Sequence, residues 1–302
     1  MKTSSIISGF TDEVSDDLEL QIKALAELGW RHIDLRTVAG KNVAALSDDE
    51  FDLVFNTLGE NDIDIACFGS TVANWGRDAE KDFELDLSEM KTSIRHMNKA
   101  GVRHIRIMSY RVSEPVELGS ELETAVIANI RKIVKLAEDH GVVCLHENCQ
   151  TWGGQSFQHC LRLLEEVDSP ALRLIFDTGN PVGMLDVRGN KPYDLQDPLL
   201  FFQQVQEYVD YLHIKDAVIR DGRVDYVFPG QGLGRVREIL DIVGRGPVAL
   251  PISIEPHVSV VFHDPSVQAP FAERWQNFID YGNQLVRMAE EAGILFSISR
   301  NH

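Results

Sequence analysis

Short apolar runs alternate with helical segments along the chain. Three segments, LAELGWRHIDL (25–35), MNKAGVRHIRI (97–107) and AEDHGVVCLHE (137–147), each join the end of an amphipathic helix, a glycine and a short apolar run. A fourth, TLGENDIDIACF (57–68), has Asn61 at the glycine position. Glycine and asparagine tolerate the left-handed conformation that ends many helices, and short runs rich in Ile, Val and Leu are typical of buried strands. The pattern predicts a strand–helix unit that recurs roughly every 35–40 residues.

Eight such apolar runs predict eight strands, and helical patterns separate them. The predicted strands lie near 5–12, 32–36, 63–69, 104–109, 142–148, 172–178, 209–215 and 249–255. This alternation, without a linker rich in Gly, Pro or Ser, favours the α/β class and a single (β/α)8 TIM barrel over 1–302, closed by a C-terminal helix near 270–292. A doubly wound open sheet is the alternative. The sequence after the first strand, GFTDEVSDDL, is acidic and lacks the GxGxxG phosphate turn of such sheets, which favours the barrel.

Composition and charge narrow the class of protein. The 302 residues are 44% hydrophobic and 25% charged, as in globular proteins with a large core. No apolar run of about 18 residues occurs, so no membrane span is predicted. The N-terminus lacks the apolar stretch of a secretory signal, and the four cysteines lack disulfide-framework spacing, which favours the cytoplasm. The net charge of -18 argues against sequence-independent nucleic-acid binding, because that binding requires Lys and Arg to neutralise phosphates.

Polar side chains end four consecutive predicted strands. The strand ends LHEN, IFDTGN, LHIKD and SIEPH place four residues at equivalent positions: Glu147, Asp177, His213 and Glu255. In (β/α)8 barrels the C-terminal strand ends meet at one rim and line the active site. Three carboxylates and one imidazole suit one divalent metal ion (Mn²⁺, Mg²⁺, Co²⁺ or Zn²⁺), which would relieve the repulsion between the carboxylates. The alternative is that these polar residues merely terminate four strands.

The segment CLHENC (144–149) has the composition of a self-contained zinc site, but strand alternation argues against one. Cys144 and His146 are predicted to face the surrounding helices, whereas Glu147 faces the barrel interior. Cys149 falls where the strand turns into a loop. A structural zinc ion needs four converging ligands, so we expect Glu147 alone in this segment to serve a metal site.

The chain resembles the xylose-isomerase-like TIM-barrel superfamily (sugar phosphate isomerase/epimerase family; AP endonuclease family 2 fold), which also includes inosose dehydratases and hydroxypyruvate isomerase. The resemblance runs from SGFTDEVSDDLELQIKALAELGWRHIDLR through HENCQTWGG, FDTGN, HIKD and PGQG to SIEPH. It implies that Glu147, Asp177, His213 and Glu255 are the metal ligands. It also implies that Glu147 and Glu255 form an acid/base pair on opposite sides of a bound sugar.

Such a site supports three reactions of one kind. A base removes a proton beside a carbonyl, and a dication stabilises the resulting enediolate. Returning the proton from the opposite face gives epimerisation, returning it to the neighbouring carbon gives isomerisation, and expelling a β-hydroxyl from the enolate gives dehydration. We therefore expect a metal-dependent isomerase or epimerase of a sugar, keto-sugar or polyol-derived substrate. A metal-dependent dehydratase or lyase acting on a keto-inositol or related ring is one alternative, and a non-catalytic sugar- or metal-binding barrel is another.

The chain departs from the nuclease branch of this superfamily. Asn180 stands where a DxxH motif on the sixth strand would supply a histidine, and Asp225-Tyr226-Val227 replaces a DxH after the seventh. A trinuclear phosphodiesterase is therefore disfavoured, in agreement with the acidic charge. Asn180 also differs from the histidine that several epimerases use near the substrate. Related barrels often form dimers, which leaves a homo-oligomer open.

Further polar and aromatic residues past the strand ends are candidates for contact with a small carbohydrate or polyol-like substrate. They are Asn180, Lys215, Arg220, His257, Trp75 and Trp152. Asn180 would hydrogen-bond a hydroxyl, and Lys215, on the same face as His213, would steady a negative charge. The two tryptophans would form an apolar wall over a sugar. The alternatives are a surface salt bridge for Lys215, a solvated loop charge for Arg220 and core packing for the tryptophans.

Overall fold

The centre of the fold is an eight-stranded parallel sheet, seen in a computed structural model that describes residues 4–261 and 264–298. Its strands are β1 (Ile7–Gly9), β2 (His32–Leu35), β3 (Asp64–Phe68), β4 (His104–Ile107), β5 (Val143–Glu147), β6 (Leu172–Asp177), β7 (Val209–Ile214) and β8 (Ile252–Ile254). The hydrogen-bonded order is β1-β8-β7-β6-β5-β4-β3-β2, and β1 contacts β2, so the barrel is nearly closed. Each strand lies within its predicted range, which confirms the (β/α)8 prediction.

Helices follow the strands and surround the barrel. They are α1 (Leu18–Leu28), α2 (Asp48–Glu60), α3 (Phe83–Ala100), α4 (Glu121–Glu138), α5 (Phe157–Val167), α6 (Pro198–Val205), α7 (Val236–Arg245) and α8 (Phe271–Glu291). Gly29 and Gly101 follow α1 and α3 in the left-handed conformation, with φ of 70° and 71°, as the sequence pattern predicts. Asn61 differs: its φ is -107°, and Asp62 after it takes the left-handed conformation at φ 56°. No helix in the described part of the chain is both long and apolar enough to cross a membrane.

The apolar cluster inside the barrel is small and separate from the main hydrophobic core. Cys67, Leu145, Ile175 and Tyr211 form an apolar cluster inside the barrel, whereas the main core lies between the strands and the helices. Cys144 belongs to that outer core, and His146 Nε2 lies 2.9 Å from Ser109 Oγ. The alternation predicted for CLHENC is therefore confirmed.

A hairpin after β7 covers one side of the barrel mouth. It pairs Asp216–Arg220 with Arg223–Val227, and the carboxylate of Asp216 fastens the loop that follows it. The backbone N–H groups of Gly230, Gly232 and Gly234 donate to this carboxylate over 2.8, 2.9 and 2.8 Å. A Cβ atom at Gly232 would lie 2.3 Å from Asp216 Oδ1, so the close approach requires glycine. The PGQG turn thus holds the hairpin at the mouth.

Candidate metal centre and active site

The structure brings together four residues that lie at or next to the C-terminal ends of β5 to β8. One donor atom from each of Glu147, Asp177, His213 and Glu255 lies within 4.8 Å of the others, and all four side chains are buried. A cavity of about 830 Å³ at the C-terminal mouth of the barrel is lined by Glu147 and Glu255. These residues converge because alternation turns each strand-end side chain inward at the same level of the barrel. That they bind a metal stays a prediction.

Three basic side chains lie among these carboxylates. Lys215 Nζ is 2.8 Å from Glu255 Oε2 and 3.2 Å from Asp177 Oδ2. Arg36 Nη1 donates a hydrogen bond to Glu255 Oε1, and Arg106 Nη1 lies 3.5 Å from Glu147 Oε2 and 3.9 Å from Glu255 Oε1. The pattern of strand ends predicts Lys215 at this site but neither of the two arginines. Their signal is a charged residue inside or just after an apolar strand, in HIRI and HIDLR.

The charges of this buried network do not balance. Its contacts join six carboxylates to three permanent cations and two imidazoles, so the carboxylates outnumber all the basic groups; the members are Asp12, Glu13, Asp34, Glu147, Asp177 and Glu255 with Arg36, Arg106, Lys215, His213 and His257. Buried negative charge is costly without compensation, and a dication would reduce the excess. Asp177 Oδ1 accepts N–H groups from Gly179 and Asn180, whereas its Oδ2 makes no hydrogen bond. The mixed oxygen and nitrogen donors therefore fit a divalent cation.

The surroundings set the protonation of these groups. Burial opposes ionisation of Glu255, but Lys215 and the other nearby cations hold its pKa well below the usual range. Burial acts the same way on Glu147, and Arg106 and His213 outweigh it, so the pKa of Glu147 is lowered. Burial would lower the pKa of His213, yet the nearby carboxylates of Asp34 and Glu147 raise it to about 9. Both glutamates are thus ionised at neutral pH, as a base or a metal ligand must be.

Three other predicted contact residues also line the cavity: Asn180, His257 and Trp75. Asn180 Oδ1 accepts a hydrogen bond from Lys215 Nζ over 3.2 Å. His257 is held by Glu13, which accepts the backbone N–H over 2.9 Å and lies 2.8 Å from Nδ1. Trp75 is 44% exposed and lies at the open side of the cavity lining. Asn180, His257 and Trp75, together with Lys215, therefore remain candidates for substrate contact.

The structure does not bring Trp152 and Arg220 to the cavity, which corrects both assignments. Trp152 is 0% exposed and packs in the outer core, with its ring 5.2 Å from that of His159. The Arg220 side chain is 67% exposed at the end of the hairpin and pairs with Asp225 over 3.7 Å. Both residues lie past a strand end, where alternation no longer fixes the direction of a side chain.

We expect Arg220→Ala to leave dication affinity and the unfolding temperature unchanged, because exposed ion pairs contribute little. Arg36→Ala is the matched comparison, since Arg36 is buried and contacts Glu255. Calorimetric titration with Mn²⁺ and thermal unfolding would measure both effects. A loss of affinity above about tenfold in Arg220→Ala, which corresponds to about 1.4 kcal/mol, would show that this side chain reaches the site after all.

The chain is similar in sequence to a known epimerase and in fold to solved TIM-barrel structures. The chain is 32% identical over 147 residues to the 2-epi-5-epi-valiolone 7-phosphate 2-epimerase of Actinoplanes sp., a match that spans 49% of this chain and 48% of that protein. The matched stretch is thus about half the length of that curated relative. An IOLI protein crystallised with zinc has the same fold at a TM-score of 0.72 and 17% identity, over 97% of this chain and 100% of that one.

A second solved structure shows the same fold. It is a xylose isomerase-like TIM barrel protein from Mycobacterium smegmatis in complex with magnesium, with a TM-score of 0.71 and 17% identity, over 96% of this chain and 98% of that one. At the level of sequence, the family described as xylose isomerase-like TIM barrel matches residues 22–265. Because this match covers most of the chain, the protein belongs to the xylose isomerase-like TIM barrel family.

Proposed function

We propose that the protein is a metal-dependent isomerase or epimerase of a sugar, keto-sugar or polyol-derived substrate. The observation that carries this proposal is the convergence of Glu147, Asp177, His213 and Glu255 within 4.8 Å at the barrel mouth. The matched Actinoplanes protein is named as an epimerase, and two barrels of the same fold were crystallised with magnesium and zinc. These comparisons support a dication-dependent proton transfer.

The same four side chains would hold the cation, because they offer three carboxylates and one imidazole at one point. When bound, the dication would polarise a substrate carbonyl and stabilise the negative charge that develops on its oxygen. An ionised glutamate beside the carbonyl removes a proton from the adjacent carbon. For isomerisation, the same glutamate returns that proton to the neighbouring carbon, and a second proton passes from the substrate hydroxyl oxygen to the former carbonyl oxygen.

Epimerisation needs both glutamates, one on each face of the substrate. Glu147 and Glu255 come from β5 and β8, which are separated by β6 and β7 around the barrel. The glutamate that returns the proton must itself be protonated first. Lys215 Nζ lies 2.8 Å from Glu255 Oε2 and holds the pKa of that carboxylate low, so Lys215 keeps Glu255 ionised in the free site and is not its proton source. We therefore assign Glu147 and Glu255 together as the acid/base pair.

The remaining cavity residues are assigned to binding and orientation. Asn180 and His257 supply hydrogen-bonding groups for hydroxyls, and Trp75 supplies an apolar face. A volume of about 830 Å³ falls within the range of small-molecule sites and exceeds the need of a single six-carbon ring. The cavity thus has room for a substituted sugar or cyclitol.

A substrate screen in D₂O tests this proposal. Ketoses, inososes and their phosphate esters are incubated with the protein and Mn²⁺, Mg²⁺, Co²⁺ or Zn²⁺, and the products are followed by nuclear magnetic resonance. We expect deuterium uptake at the carbon beside the carbonyl without loss of water. An enone-type ultraviolet absorbance would instead identify a dehydratase. Metal binding without turnover of any substrate would favour the non-catalytic barrel.

A further inference from the structure

Two buried polar atoms inside the barrel face each other without a hydrogen bond. His213 Nε2 and Asp34 Oδ2 are 3.5 Å apart, and both side chains are 0% exposed. Neither atom has a hydrogen-bond partner among the described residues. Asp34 lies on β2 and His213 on β7, and β1 and β8 separate these strands in the sheet. The contact therefore crosses the barrel interior beneath the candidate metal centre.

The other oxygen of Asp34 is held firmly. Tyr211 Oη donates to Asp34 Oδ1 over 2.6 Å, and Ser8 Oγ donates to the same atom over 2.8 Å. Ser8 Oγ and Tyr211 Oη are also 2.8 Å apart, so the three side chains form a closed triangle. Tyr211 precedes His213 by two residues and shares its face of β7. With Oδ1 fixed in this way, Oδ2 is turned towards the imidazole.

The second ring nitrogen of His213 belongs to the ligand cluster. Nδ1 lies 2.7 Å from Glu147 Oε1, on the side of the four converging donors. A neutral imidazole carries one N–H group and one lone pair, and a metal ligand must present the lone pair. When Nδ1 is the ligand atom, the proton is on Nε2, and Asp34 Oδ2 is the acceptor that this N–H group faces.

We propose that Asp34 is a positioning residue for the candidate metal ligand His213. Its carboxylate accepts a hydrogen bond from Nε2, which fixes both the orientation of the ring and the tautomer that turns the Nδ1 lone pair to the cation. Tyr211 and Ser8 hold the carboxylate in place. A carboxylate behind a metal-binding histidine raises the basicity of the ligand and restricts its rotation. This inference rests on the proposed metal site and assigns a role to residues outside it.

The test measures dication binding to the metal-free protein, which needs no substrate. We expect Asp34→Asn to weaken Mn²⁺ and Zn²⁺ binding by about 10- to 100-fold in calorimetric titrations. Asp86→Asn is the matched control, because Asp86 is also 0% exposed but accepts the N–H of Ala73 away from the cluster. Tyr211→Phe keeps the carboxylate and removes one of its two donors. We expect a loss of about fivefold in that variant, the effect of one hydrogen bond.

A spectroscopic measurement separates positioning from general damage to the fold. In zinc-loaded protein with ¹⁵N-labelled histidine, the ring signals of His213 are those that disappear in His213→Asn. We expect protonated Nε2 in the wild type and in Asp86→Asn, and a mixture of tautomers in Tyr211→Phe and Asp34→Asn. If Asp34→Asn does not fold, Tyr211→Phe decides the question by affinity and tautomer.

The outcomes distinguish this inference from the proposed function. Unchanged affinity and an unchanged tautomer in the folded variants would overturn the role of Asp34 and leave the metal site in place. A wild-type protein that binds none of the four dications would overturn both. An equal loss of affinity in Asp86→Asn would assign the effect to the fold and overturn the positioning role.

Discussion

Glu147→Gln and Glu255→Gln should each lower turnover by at least about 10³-fold while leaving the barrel folded. Glutamine keeps the size of the side chain but removes the negative charge that a base and a metal ligand need. Each variant therefore loses a proton-transfer group and one of the four converging donors. Turnover would be measured on the substrate found by the deuterium screen, and bound metal would be measured on the same samples.

The two substitutions should differ in their effect on stability. Glu255 contacts Arg36 and Lys215, whereas Glu147 contacts Arg106 and His213. Glu255→Gln thus leaves two buried cations with less compensation. Breaking a buried ion pair costs about 3–5 kcal/mol, but Asp12 still binds Arg36 and Asp177 still lies near Lys215. We expect a lower unfolding temperature for Glu255→Gln than for Glu147→Gln, with both variants folded at room temperature.

Glu123→Gln provides the matched control for these variants. Glu123 is buried on α4 and accepts a hydrogen bond from Arg162, outside the candidate site. Its substitution removes a buried carboxylate without touching the cavity, so turnover should stay within about twofold of the wild type, consistent with a change under 0.5 kcal/mol. Wild-type turnover in Glu147→Gln or Glu255→Gln would contradict the acid/base assignment, whatever the stability of the variant.

The sequence predicts those parts of the molecule that a local pattern repeats. Each strand is marked by a short apolar run after a helix end, so all eight strands could be located. Each of Glu147, Asp177, His213 and Glu255 lies at or next to the C-terminal end of a strand and faces the barrel interior. Their convergence follows from the barrel itself, because parallel strands bring equivalent positions to one rim. The location of a side chain at the end of a regular strand can thus be predicted without knowing which residues it contacts.

Contacts across the barrel interior could not be predicted in the same way. Alternation places Asp34 and Arg106 inside, but the tilt and stagger of the strands decide which residue each one meets. Asp34 reaches His213, which lies 179 positions further along the chain and three strands away around the barrel. A charged residue in an apolar strand does signal a buried partner, since isolated buried charges are rare. That signal identifies Asp34 and Arg106 but not their partners.

The ammonium group of Lys215 contacts two of the carboxylates that we propose as metal ligands. Its side chain is 4% exposed and lies within 3.2 Å of both Asp177 and Glu255. Burial would lower the pKa of this ammonium, yet the two carboxylates raise it well above the usual value, so Lys215 stays charged. A bound dication and the ammonium group thus compete for the same two carboxylates. This competition makes the metal-free and metal-bound forms respond differently to the loss of the charge.

Lys215→Met should destabilise the metal-free protein by about 3–5 kcal/mol and strengthen its binding of Mn²⁺. Methionine fills most of the same volume but leaves Asp177 and Glu255 without their nearest ammonium, which adds to the excess negative charge of the network. A ligand that binds only the folded state stabilises it more, at a given concentration, when its dissociation constant is smaller, so Mn²⁺ should raise the stability of the variant more than that of the wild type. Urea unfolding with and without Mn²⁺ measures this difference.

Lys135→Met is the control, since Lys135 is exposed on α4 and pairs with Asp139 one helical turn away. It should change neither stability nor metal affinity by a measurable amount. Weaker Mn²⁺ binding in Lys215→Met would mean that the ammonium supports the cation site instead of competing with it. Unchanged stability without metal would mean that the carboxylates of Asp177 and Glu255 take up protons when Lys215 is lost. Either result would contradict the proposal that Lys215 and a dication compete for the carboxylates of Asp177 and Glu255.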